Sequence, residues 1–203
     1  MVQTSTRKMN PEEAELIDKW IFVLLAANNN EGIRGRIRFI KDFFLVAKKF
    51  VPDLFEVSQF YPYHFGPYST RFGVRVNELR NTGLIQAELV GKDWEYVLTE
   101  DGRQKATSAS NDVAGDLSQS IQTIKVKNRD LSLRDLLKEI YLDYPEYAKR
   151  AIRKGEISRE RVDLASLPQI DDGPGFVASA DPEEREIDLK GKAARLFLHL
   201  ISD

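Results

Sequence analysis

Residues 69–99 read STRFGVRVNELRNTGLIQAELVGKDWEYVLT, and the periods inside this run decide the fold. Ser69 has the chemistry of an N-cap, because a hydroxyl oxygen there accepts a free backbone N–H of the first turn. Phe72, Val76 and Leu79 then recur at i, i+4 and i+7, the spacing of one helical face. Arg71, Arg75, Glu78 and Thr82 fall on the opposite face. Gly83 ends the helix, since glycine adopts the left-handed capping conformation without a Cβ clash. After it, residues 84–90 and 94–99 read as two strands, and Gly91-Lys92-Asp93 joins them into a β-hairpin.

Two helices are expected upstream. Asn10-Pro11-Glu12-Glu13 combines a capping side chain, a first-turn proline and two acids suited to the helix dipole. The following ELIDKWIFVLLAA puts Leu16, Trp20, Val23, Leu24 and Ala27 on one stripe, and Asn28 to Gly32 read as a polar turn. A second helix is expected from Arg34 to Phe50, in GIRGRIRFIKDFFLVAKKF. Ile37, Ile40, Phe44 and Ala47 face inward there, whereas Arg36, Arg38, Lys41 and Lys48 turn away from that row. Pro52 closes this helix. Residues 53–68 are aromatic and proline-rich and read as a rigid packed loop, with His64 in a structural role.

Three helices followed by a hairpin over residues 10–106 are the layout of a winged helix-turn-helix, which places its third helix in the DNA major groove. The expected fold class is therefore mainly α with a small β-hairpin: a winged-helix domain at 10–106 and a helical extension at 107–203. Residues 107–112 are rich in Ser, Asn and Asp, and a helix is expected over 113–128. A firmer one starts in LSLRDLLKEIYLDYPEYAKRAI, where Leu133, Leu136, Leu137, Ile140 and Tyr141 share a face and Pro145 breaks it. Residues 154–186 are loop-rich, and 188–201 form a short amphipathic helix with Leu196, Phe197, Leu200 and Ile201 available for docking. The chain contains no internal repeat.

Composition narrows the function. The 203 residues carry net charge −2, with 42% hydrophobic and 31% charged side chains, enough apolar material for a packed core. With no cysteine, disulfide scaffolds, thiolate metal sites and cysteine nucleophiles are excluded. His64 and His199 are the only histidines, which excludes a multi-histidine metal site. GxxxxGK[ST], GxSxG, HExxH and GxGxxG are all missing, so the sequence offers no support for an enzyme and calls for no cofactor. No apolar run approaches the ~20 residues of a membrane span. The start MVQTSTRKMNPEE lacks a signal-peptide layout, so a cytoplasmic protein without a membrane partner is expected.

Charge is uneven. Residues 30–80 hold nine basic and five acidic side chains, against fifteen basic and eighteen acidic from residue 111 onward. Arg71 and Arg75, one helical turn apart, are candidates to grip guanine edges or phosphates. Tyr68, Ser69 and Thr70 at the helix start could hold a phosphate, and Lys92 at the hairpin tip could touch another. Arg36, Arg38 and Lys41 would position the DNA backbone. Glu78 on the same face as Arg75 opposes this reading, and an ordinary solvated surface accounts equally for the basic run. The aromatic connector could stack on bases but more often packs as a support. Asp171-Asp172-Gly173 and the acids at 181–188 lack the ligand spacing of a calcium loop.

The stretch YPYHFGPYSTRFGVRVNELRNTGLI resembles the YwgA-like group of prokaryotic proteins, itself related in pattern to the Panacea (SocA-like antitoxin) domains. The shared features are the turn Gly66-Pro67-Tyr68-Ser69, the helix after it, and Leu79, Gly83, Leu84 and Ile85. Gly35, Arg36 and Lys41 match the basic helix that precedes this turn in the group, and LLKEIYLDYPEYA is similar to its later helical stretch. The likeness covers about residues 15–150; residues 155–203 have no counterpart in it. It implies a winged-helix fold with a helical extension and no enzymatic activity, with antitoxin or adaptor behaviour in the related domains. Two functions follow as expectations. One is a homodimeric DNA-binding regulator, with its two third helices about 34 Å apart in successive grooves and residues 113–203 supplying the dimer contact. The other is a protein-interaction module such as an antitoxin, an adaptor or a defence-system accessory protein.

Overall fold

The computed structural model describes residues 8–148, and the expected helix at 188–201 and the acidic segment at 181–188 lie outside them. The order is α1 (Pro11–Asn30), β1 (Ile33–Arg34), α2 (Arg36–Phe50), α3 (Pro52–Ser58), β2 (Tyr61–Tyr63), β3 (Gly66–Tyr68), α4 (Thr70–Asn81), β4 (Ile85–Val90), β5 (Asp93–Leu98), α5 (Glu100–Asn111), α6 (Gly115–Asp130) and α7 (Leu133–Asp143), then a 3₁₀ turn, Pro145–Ala148. The fold is mainly helical with a small antiparallel hairpin, β4–β5, as expected.

The local signals act as read. Asn10 caps α1 in a capping box, its side chain accepting from the Glu13 N–H while Glu13 accepts from the Asn10 N–H, both at 2.8 Å. Ser69 caps α4, and Gly83 beyond its end takes φ 75°. The hairpin pairs Ile85 with Leu98 through Val90 with Asp93. Tyr144 ends α7 just before Pro145.

Five elements were not expected: β1, α3, β2, β3 and α5. β1 is two residues long and pairs Ile33 with Tyr96 and Arg34 with Glu95, giving sheet order β1-β5-β4. Pro52 ends one helix and opens the next, because an N1 proline has no N–H to lose. The connector therefore becomes α3 plus the small hairpin β2–β3. Thr99 to Ala106, expected to begin as a turn or cap, and most of the polar patch at 107–112 form α5; Thr99 does cap it, through the Gly102 N–H, and Ala106 is buried against α1. The expected boundary at 106/107 falls inside this helix.

Two apolar clusters organise the interior. The larger joins α1, α2, α4 and the sheet, with Phe72 set against Phe39 (5.1 Å) and Phe43 (4.4 Å), and it continues to Ile121 of α6. The smaller seats α7 and the 3₁₀ turn on α2, with Phe44 meeting the rings of Tyr144 and Tyr147 at 5.1 Å each. α2 lies between the two clusters and is buried around its whole circumference from Phe39 to Ala47.

Candidate functional site

The rotation of α4 about its axis decides what its arginines meet. Phe72, Val76 and Leu79 are buried in the core, as the spacing predicts. The turn before α4 is locked as well: Ser69 Oγ donates to the Ser58 carbonyl at 2.5 Å while accepting from the Phe72 N–H at 3.1 Å. Thr70 Oγ1 lies 3.1 Å from the Tyr61 hydroxyl, and the Tyr68 ring packs on Tyr61 and Tyr63. This setting turns the Arg71 and Arg75 side of α4 onto the acidic flank of α1.

The outward pair of guanidinium groups is therefore corrected. Arg71 is buried, donates to the Val57 carbonyl at 2.9 Å and pairs with Glu13 at 3.3 Å. Arg75 holds Asp18 with two bonds, Nε–Oδ1 at 2.7 Å and Nη2–Oδ2 at 2.5 Å, and also donates to Glu78. The hydrogen bonds to Asp18 push the Arg75 guanidinium further above its ordinary range. Asp18 sits 57 and Glu13 58 residues away in sequence, which helical periodicity does not report, whereas Glu78 lies three residues from Arg75 on the same helix. On the exposed side α4 presents Glu78 and Asn81.

The basic residues of α2 are redirected too. Lys41, expected on an outer face, is buried and donates to the Pro67 carbonyl at 2.6 Å; burial pulls its ammonium down to about 7. Arg38 donates to the carbonyls of Asn128 and Leu131, the latter at 3.0 Å, and so ties down the end of α6; burial lowers it from its ordinary value. Arg36 is half-buried at the start of α2, close enough to Tyr96 to act on its phenol. Of the nine residues nominated for DNA contact, Lys92 alone is exposed, in the turn between β4 and β5.

A polar seam between α6 and the α1–α2 pair escaped the sequence reading. The Lys125 ammonium donates to the carbonyls of Leu25 (2.8 Å), Ala27 (2.8 Å) and Glu31 (2.5 Å), where α1 leaves its helical path and Asn28, Asn29 and Asn30 take φ of 55°, 57° and 59°. Asparagine tolerates this left-handed region better than most residues with a side chain. Asn128 Nδ2 donates to Asp42 Oδ1 at 2.6 Å, and Arg129 grips the Glu31 carboxylate at 3.1 and 3.0 Å. Burial lifts Asp42 to about 7 and draws Lys125 down to about 8. One sequence signal pointed here: Lys41-Asp42 interrupts an otherwise apolar run, and charges inside a fully buried helix require internal partners.

Among the described residues no cluster of histidine, aspartate and glutamate could hold a metal ion, and no helix is long and apolar enough to cross a membrane. No protein-family model matches this chain, and no curated protein matches it.

Proposed function

We propose that the chain is a non-enzymatic protein-interaction module whose helical core serves as a scaffold. The observation that carries this reading is the engagement of Arg71 and Arg75 by Glu13, Asp18 and Glu78. A helix that reads DNA needs cations turned outward, because phosphate neutralisation supplies much of the affinity. α4 instead offers Glu78 and Asn81 to solvent. Large apolar side chains are exposed elsewhere: Leu89 near the end of β4 at 61% and Leu142 near the end of α7 at 72%. β4 is also a sheet edge, a common site for pairing with a partner strand.

The test is to purify the partner recovered with the full chain and measure its binding to the wild type and to Leu89→Asp. Weakening of about tenfold or more in the variant, which keeps the wild-type thermal midpoint, is the expected result. Equal affinity for both would remove Leu89 from the interface. A full chain that binds duplex DNA with a steep salt dependence, and binds no protein, would reverse the assignment.

A second reading, a winged-helix DNA-binding regulator, draws support from the order α1, β1, α2, α4, β4, β5 with β1 paired to β5. In this reading Lys92 on the hairpin tip contacts a phosphate. Titration of duplex DNA over ionic strength tests it: Lys92→Glu should weaken binding at low salt and reduce the salt slope by about one.

A further inference from the structure

α6 is fastened to the rest of the fold mostly by polar groups. Ile121 is its one fully buried apolar side chain, with Leu117 and Ile124 packed alongside. Its buried polar joints are Lys125 on three backbone carbonyls at the end of α1, Asn128 on Asp42, and Arg38 on the carbonyls of Asn128 and Leu131, with the more exposed bonds of Gln122 to Asn28, Lys127 to Glu139 and Arg129 to Glu31 beside them. Asp42 lies at the centre of this seam. It is buried, its Oδ1 accepts from Asn128, and its Oδ2 takes no hydrogen bond from any described residue. A buried carboxyl oxygen without a donor favours the neutral acid, because the ionised form needs hydrogen bonds to replace lost hydration.

The charged groups around Asp42 come from several elements. Arg38 from its own helix and Lys125 from α6 favour the ionised carboxyl, as does the Asn128 hydrogen bond, and burial outweighs the three. Glu31, after the end of α1, and Glu95 of β5 act on Lys125; Asp93 of β5 acts on Arg38; Arg129 holds Glu31. Lys41 points the other way, to the Pro67 carbonyl in β3, and so belongs to the β2–β3 side of α2.

We propose that this seam is a proton-controlled latch: protonated Asp42 holds α6 against α1 and α2, and ionised Asp42 loosens α6 while the core of α1, α2 and α4 stays folded. Since burial places Asp42 at about 7, the latch is set in mild acid and released as pH rises through neutrality. Lys125, at about 8, keeps its charge and its three carbonyl bonds through most of that window.

The test is amide hydrogen exchange on the full chain at pH 5.5 and 7.5, each rate divided by its intrinsic value. Protection in α6 should fall by about tenfold or more between the two conditions, while protection in α4 holds. Asp42→Asn, which cannot ionise, should keep the higher α6 protection at both. Unchanged α6 protection in the wild type, or the same loss in Asp42→Asn, would overturn the proposal. Should the variant not fold, the Asp42 carboxyl ¹³C shift of the wild type decides. A midpoint near neutrality supports the latch, and a midpoint in the ordinary aspartate range rejects it.

Discussion

Arg75 and Asp18 face each other edge to edge across the α4–α1 contact, two guanidinium nitrogens on two carboxylate oxygens at 2.7 and 2.5 Å. This partly buried pair ties the Arg75 side of α4 to α1. Either Arg75→Ala or Asp18→Ala should lower unfolding free energy by about 1–3 kcal/mol, between the range of surface pairs and that of buried pairs. Because the two side chains share one interaction, the double variant should lose less than the sum, with a coupling of about 1 kcal/mol. Chemical denaturation of the four proteins measures it, and strictly additive losses would contradict the pairing.

Gly102 has no room for a side chain. A Cβ there would lie 2.0 Å from the Leu84 carbonyl oxygen, which also accepts from the Thr99 N–H. Gly102→Ala should therefore cost about 2 kcal/mol or more, since backbone rather than a flexible side chain must yield. Gly115, whose added Cβ meets nothing, serves as the comparison; Gly115→Ala should stay within about 1 kcal/mol of the wild type. Thermal unfolding of both variants gives the contrast.

Ser69 joins two elements through one oxygen, capping α4 and donating to the Ser58 carbonyl. Ser69→Ala leaves both groups unpaired in a site without solvent. The expected loss is about 1–3 kcal/mol, more than for an exposed cap. A loss comparable to that of an exposed-serine control would show that the Ser58 bond adds nothing.

Asp42 sets the sign of one pH dependence. Its carboxyl sits at about 7 in the folded chain against an ordinary 3.8, so the folded state retains a proton that the unfolded state releases between these values. Its contribution to stability is therefore full below about 4, declines as pH rises, and is lost above about 7. Asp42→Asn carries no such titration. Relative to the wild type, the variant should gain about 1–3 kcal/mol between pH 4 and pH 8. A constant difference across that range would show that Asp42 titrates normally.

Much of the helical layout was legible because its signals are local. The Asn10 and Ser69 caps, the Gly83 terminus, the turn at Gly91-Lys92 and the break before Pro145 all act within a few residues of where they are written. α5 was missed for a related reason: EDGRQKATSASN has weak helix formers and little apolar periodicity, and its helix depends on the Thr99 cap and contact with α1. β1 is too short to register as a pattern. The candidate site was far less legible. Helical spacing correctly put Arg71 and Arg75 off the Phe72–Val76–Leu79 face, but off the core is not the same as facing solvent. Lys41 was misplaced because apolar residues surround it on all sides of α2, so no single face marks the interior.

By itself the sequence determined five of the seven helices, α1, α2, α4, α6 and α7, and where most of them stop, since caps, turns and apolar periods are short-range terms. Only the tertiary structure decided which cations are available to a partner. The long-range partners of Arg75, Arg71, Arg38 and Lys125 lie 57, 58, 90 and up to 100 residues away along the chain, while Glu78 on Arg75 and the Val57 carbonyl on Arg71 are nearer. Such contacts exist only after α1, α2, α4 and α6 have docked, because a charge is held or free according to what packing brings within bonding distance of it.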